Sequence, residues 1–206
     1  MRSKSTNLSK SRLMAARQCL KRVWLEVHKP ELQVFSLATR AAFASGHAVG
    51  EAARRVYAAP GSVLIPYEGG LDHAMRKTVR LLSAGARFPI FEGTLAFGGV
   101  LVRIDVLLPD EGDWRIIEVK SSTSLKDDHV FDTAVQSWVF HGLGYAARKT
   151  LLAHVDNDFV YQGNGDYVGL LSEVDVGGDV ARLAAEVPAL VRRARDTLMG
   201  SEPRIP

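Results

Sequence analysis

The chain has 206 residues, 47% of them hydrophobic and 24% charged, with 26 Lys and Arg against 23 Asp and Glu for a formal net charge of +3. This is the composition of a globular chain able to bury a proper core, and it excludes disordered, collagen-like and coiled-coil classes. A single cysteine excludes an intrachain disulfide and a cysteine-only metal cluster within this chain, and suits a reducing, cytoplasmic setting.

The elements follow in chain order. Ser9 or Ser11 can cap a helix running to about Val27, with Leu13, Ala16, Leu20 and Trp24 on one stripe, and Pro30 breaks it. A second, alanine-rich helix is expected over about 37–57, then a turn at 59–62, a short strand at 63–66 and a third helix over 71–85. From Phe88 the period becomes that of strands, giving three over 88–97, 98–109 and 113–121. A helix over 127–145 should turn Phe131, Ala134, Val135, Trp138 and Gly142 inward. A strand at 149–156 follows, then a hairpin over 158–171 turning at Asn164-Gly165, and a final helix over 174–199 with an irregularity at Pro188. This order indicates one α/β domain over residues 1–206, a mixed β-sheet flanked by helices. No signal-peptide pattern follows the basic opening residues, and no apolar run reaches the roughly 18 residues of a membrane span, so no membrane partner is expected.

The net charge conceals a division. Residues 1–55 hold eleven basic residues against three acids, a local excess of +8, whereas residues 105–132 hold eight acids against three bases, a local −5. A basic segment beside an acidic one suits a protein that attracts a polyanion and holds a cation against it. A solvated helix face beside a charged hairpin would show the same totals.

The acidic stretch runs from Arg103-Ile-Asp105 through Pro109-Asp-Glu-Gly-Asp113 to Glu118-Val-Lys120. A hairpin centred on Glu111-Gly112 sets Asp105 across from Glu118 and Arg103 across from Lys120, all on one side of the sheet. Ile104, Val106, Ile117 and Val119 then make a packed opposite side. Facing carboxylates repel unless something positive lies between them. The candidates are Lys120, Arg103 or a hard divalent ion such as Mg²⁺ or Mn²⁺, which binds through one or two carboxylates plus substrate phosphate. A salt-bridged surface hairpin is the alternative. Apolar residues on both sides of the charged pair favour a position within the sheet.

Asp105 followed by Glu118-Val119-Lys120 resembles the PD-(D/E)XK nuclease signature in its RecB-like branch. Leu8-Ser9-Lys10-Ser11, Cys19-Leu-Lys-Arg22, Gly46-His47, Gly50-Glu51 and Gln136 extend the likeness from about residue 7 to 203. The group most similar is an uncharacterised bacterial set of RecB-like proteins, related to the CRISPR-associated RecB-like exonucleases. The resemblance implies a restriction-endonuclease-like fold and a metal-dependent DNA nuclease. Asp105, Glu118 and the Val119 carbonyl would hold Mg²⁺ or Mn²⁺, with His47 or Glu51, four apart on one helix face, completing the shell. Lys120 would position the attacking water, and Gln136 would position DNA or the lysine. Glu92 on the preceding strand could reach the same face.

The expected products are a 5′-phosphate and a 3′-hydroxyl, the expected partners DNA and a helicase or other repair protein. A catalytically silent nucleic-acid-binding scaffold with the same fold is the competing reading. Relatives often carry a 4Fe-4S cluster held by one early and three late cysteines. Cys19 fits the first position, so a cluster would need a missing C-terminal segment; otherwise Cys19 is a small buried residue. Phe140 stands where the branch usually has tyrosine. No phosphate-binding GxxxxGK[ST] loop, GxSxG elbow or HExxH pair occurs.

Overall fold

The computed structural model describes residues 8–204. A two-residue strand, β1 (Leu8–Ser9), leads into α1 (Lys10–Gln18), whose N-terminus is capped by Ser9 Oγ accepting from the Arg12 amide at 3.3 Å. The expected single helix to Val27 is instead two. Cys19 is extended (φ −163°, ψ 123°) and separates α1 from α2 (Leu20–His28). Both helices enter the main core, α1 through Leu13 and Ala16 and α2 through Val23, and α2 also reaches the C-terminal end, where the Trp24 indole donates to the Gly200 carbonyl at 3.0 Å.

After a 3-10 turn at Pro30–Leu32, α3 (Leu37–Val56) starts at a Ser36 cap. Ala52 and Ala53 are its buried residues, while 40–48 stand exposed. β2 (Val63–Leu64) and α4 (Gly70–Ser83) follow, close to expectation.

β3 (Ile90–Phe97), β4 (Val100–Asp110) and β5 (Asp113–Lys120) form an antiparallel meander. α5 (Asp127–Gly142) then carries the chain to β6 (Ala147–Val155), parallel to β5, and β7 (Leu171–Asp175) returns antiparallel to β6. With β2 parallel to β3, and β1 parallel to the start of β4, the result is a seven-stranded mixed sheet. Helices flank it, as the element order indicated.

The C-terminal part departs from expectation. No strand occurs over 158–170. Asn164 and Gly165 do turn, with φ of 57° and 73°, but they join no ladder. The strand falls at 171–175 instead, and the helix expected over 174–199 is two, α6 (Gly177–Ala184) and α7 (Val187–Met199). Pro188 lies in the first turn of α7, where its missing amide costs no hydrogen bond, so it opens a helix instead of bending one.

The hairpin register matches the sequence expectation. Val106 pairs with Ile117, Leu107 with Ile116 and Leu108 with Arg115. Glu111 and Gly112 adopt φ of 47° and 100°, the left-handed pair that a two-residue hairpin turn requires. The packed face differs, however. Ile104 belongs to the main core with Val102 and Leu107, whereas Val106 joins Ile117, Phe91, Leu151 and Ala153 on the other side of the sheet. Strict alternation would keep Ile104 and Val106 together. The phase changes at Asp105 on β4 and, opposite it, at Glu92 on β3, which takes φ of 57° inside a strand. Pairing between these strands resumes on both sides, at Phe91↔Val106 and Gly93↔Ile104. Both strands therefore kink at the same level, and Asp105 sits at the kink.

Candidate active site between two splayed strands

The β4–β5 pairing ends at Val106↔Ile117, one step before Asp105 and Glu118 would face each other. Beyond it, β5 continues with β6 through Lys120↔His154. In place of a backbone ladder, the Val119 amide donates to Asp105 Oδ2 at 2.8 Å. The N–H and C=O of a strand residue point to the same edge, so the Val119 carbonyl also faces the gap where β4 has left. Asp105 is held well above the usual carboxylate range, first by burial and then by the charge of Glu118, with Lys10 opposing both.

Glu118 is 3% exposed and takes three donors. Lys10 Nζ reaches its Oε1 at 3.0 Å, Lys120 Nζ reaches the same oxygen at 2.6 Å, and the buried Gln136 amide donates to Oε2 at 2.5 Å. Asp132 closes the group, with Lys10 at 3.0 Å from Oδ1 and Lys120 donating to Oδ2 at 2.5 Å. Burial alone would raise Glu118, but Lys10 and then Lys120 hold it well below its ordinary range. Asp132 is raised, first by burial and then by Glu118. Burial disfavours the charge on both lysines, yet the facing carboxylates keep both above the ordinary lysine value. Two ammonium groups against two carboxylates make a balanced, desolvated quartet, and Asp105 is the additional acid beside it.

Asp105 and Val119 also line a cavity of about 470 Å³ under α3. His47 and Glu92 line it too. Arg103 does so while pairing with Glu92 at 3.3 Å and lying 5.5 Å from the Tyr67 ring. Glu51, one turn beyond His47, is instead exposed on α3, 3.9 Å from Arg54. The structure therefore gathers Asp105, Glu118, Val119, Lys120 and Gln136 at the split and sets His47 across the adjoining cavity, with Glu51 outside it. Cys19 lies half-buried at the α1–α2 break, as a free thiol.

The sequence assigns no role to Lys10 or Asp132, and Lys10 stands there only as part of the Leu8–Ser11 motif. Asp132 precedes Gln136 by one helical turn, so an inward Gln136 carries Asp132 to the same face. The motif around Lys10 does not show its partner, which is 108 residues away.

The donor chemistry decides which cofactor these residues could hold. Among the described residues no three His, Cys, Asp or Glu side chains converge as a ready cage. Asp105, Glu118 and the Val119 carbonyl do make an all-oxygen, two-carboxylate set, which fits a hard divalent ion that keeps several waters. A carboxylate offers about four acceptor positions, and three donors on Glu118 leave room for one more. An iron–sulfur cluster does not fit this chain, because Cys19 is its only cysteine and four thiolates are needed.

No protein-family model matches the chain, and no curated protein matches it. Two solved structures superpose over most of its length. SSO0001 is 18% identical with a TM-score of 0.42, covering 92% of this chain and 79% of that one. An alkaline exonuclease from Laribacter hongkongensis, LHK-Exo, is 12% identical with a TM-score of 0.47, covering 94% and 90%. Likeness at these levels assigns neither a family nor an activity. Among the described residues, no helix is long and apolar enough to cross a membrane.

Proposed function

We propose that the protein is a metal-dependent DNA nuclease of the PD-(D/E)XK type, RecB-like branch. The observation that carries this reading is the strand split, where half-buried Asp105 and buried Glu118 converge beside Lys120 while the Val119 amide anchors Asp105. A bound Mg²⁺ or Mn²⁺ would supply Lewis-acid activation of water and neutralise charge on the phosphate. The chain's own residues do the remainder. Val119 fixes one oxygen of Asp105 and leaves the other free for the ion. Gln136 orients Glu118 from below, and Asp132 holds the Lys120 ammonium, which is kept charged and can orient the attacking water or offset charge growing on the phosphate. His47, on the cavity wall, is the better candidate than Glu51 for a further ligand. The basic N-terminal helices would track the phosphate backbone in a salt-sensitive manner, and the products would be a 5′-phosphate and a 3′-hydroxyl.

The test is cleavage of end-labelled DNA with Mn²⁺ by the wild-type protein and Lys120→Ala. We expect the variant to lose at least about a hundredfold in rate, the usual scale for removing one electrostatic stabiliser. Equal rates would overturn the mechanism. One observation favours a silent scaffold instead: two lysines already occupy Glu118 Oε1. Calorimetric titration separates the two readings, since a scaffold gives no Mn²⁺ binding heat and no change on Asp105→Asn.

A further inference from the structure

Away from the strand split, a cluster of exposed apolar side chains lies on the segment joining α2 to α3 and on the first turns of α3. Leu32, Val34, Phe35, Leu37 and Phe43 all stand in solvent, Val34 and Leu37 almost completely. The Phe35 and Phe43 rings meet edge to face, with centroids 5.5 Å apart. They border a groove of about 660 Å³ along α2. A monomer has no packing use for two adjacent exposed rings, and grouped exposure of this kind marks an interaction surface.

Its chemistry is not purely apolar. Arg22, Lys21 and Lys29 rim the groove, Arg22 facing Glu26 and the two lysines sharing Glu202. Arg40 lies beside Thr39 on α3, and Arg12 faces the next cavity; neither pairs with a carboxylate among the described residues. That next cavity shares Arg22, Glu26, Gln33, Phe35 and Phe43 with the groove and is also lined by Asp128 and by Lys10 and Asp132 of the charged quartet. One surface thus runs from an aromatic pair, past arginines, to the Lys10 and Asp132 side of the charged quartet.

We infer that the Phe35–Phe43 pair is a base-stacking platform for single-stranded nucleic acid feeding the strand split. Exposed rings beside a cationic track are the recurring means of holding unpaired bases, since every base offers a π-face and the cations take the phosphates. A duplex stacks its bases on one another and offers none to Phe35 or Phe43. The platform therefore favours single strands over duplex, a preference the active-site residues do not themselves impose. The inference rests on the nucleic-acid reading proposed above, but its test does not depend on cleavage.

The test is fluorescence anisotropy with labelled oligothymidylate and with a blunt duplex, in EDTA at one salt concentration. The proteins are wild type, Phe35→Ala/Phe43→Ala, and the conservative Phe35→Tyr/Phe43→Tyr. Both rings are about half exposed, so the fold does not depend on them. We expect the alanine variant to bind the single strand at least about fivefold more weakly, the lower end of base-stacking losses. Duplex binding should change less than about twofold by the same reasoning, and the tyrosine variant should restore single-strand affinity. Equal losses on both substrates, or no loss, would overturn the platform. So would unchanged single-strand binding with an altered oligomeric state in size-exclusion chromatography, which would make the patch a protein interface. If the protein binds as expected yet never cuts, the nuclease reading fails and the platform stands.

Discussion

The Asp105 carboxylate accepts the Val119 amide hydrogen at 2.8 Å, so a side chain of β4 stands where a backbone carbonyl would continue the ladder. This one substitution of partners lets the two strands part without stranding the amide, and it leaves the Val119 carbonyl open at the gap. The split is stabilised by the same residue that would serve as a ligand in it.

Asp105 carries a stability cost that its function would explain. Burial and Glu118 raise its folded pKa above the unfolded value near 3.8. Between those two values the folded state binds more protons than the unfolded one, so stability rises as pH falls through that window and is lower above it. Asp105→Asn keeps an oxygen for the Val119 amide and removes the charge. We expect a higher melting temperature at pH 7.5 without divalent ions, about 2–4 °C for each kcal/mol gained at this chain length, together with loss of cleavage. A lower melting temperature in calorimetry would show that the charge is well compensated. Ion binding at Asp105 should by the same sign release a proton and strengthen with pH.

Gln136 provides the donor to Glu118 Oε2 from the interior side. Gln136→Ala leaves a buried carboxylate oxygen with one partner fewer, at a cost of about 1–3 kcal/mol. Urea denaturation should show a lower midpoint with an unchanged slope. A midpoint equal to wild type would mean that water replaces the amide.

Lys10 bridges Glu118 and Asp132. Replacing it with Met keeps much of the stem and removes the charge, which uncovers one position on Glu118. The metal-free variant should lose about 1–3 kcal/mol, the scale of leaving a charged buried acceptor short of a donor. Mn²⁺ should then raise its melting temperature by more than it raises that of wild type. Equal Mn²⁺ shifts in differential scanning fluorimetry would separate Lys10 from the ion site.

Much of the site was legible because it lies on a hairpin. The turn at Glu111-Gly112 announces itself by residue type, and the period of two then carries Asp105 to the level of Glu118. The kink at Asp105 was not legible, since β3 and β4 each gain a residue at one level and both faces stay apolar, so the pattern hides the change of phase. The break at Cys19 escaped for a different reason: the helix stripe runs on from Leu13 to Trp24, and no residue type in it marks Cys19 as the extended position that divides it. At 158–171, Val, Tyr and a turn imitate a hairpin, but residues 158–170 join no ladder and only Leu171 enters a strand, paired with Val155. Lys10 belongs to the same class, because its role depends on a contact with no local signature.

That contact bears on how the protein folds. The meander from β3 to β5 closes through neighbouring segments and short turns, whereas the Lys10–Glu118 bond joins residues 108 apart. Loop closure of that length must be met by tertiary packing before the ammonium can arrive. Until β1 seats against Val100 and Leu101, Glu118 has Lys120 as its one cation and the Gln136 amide as its other donor. The charge balance of the site is thus a report on the docking of the chain's first helix, and chemistry at the split is coupled to completion of the whole fold.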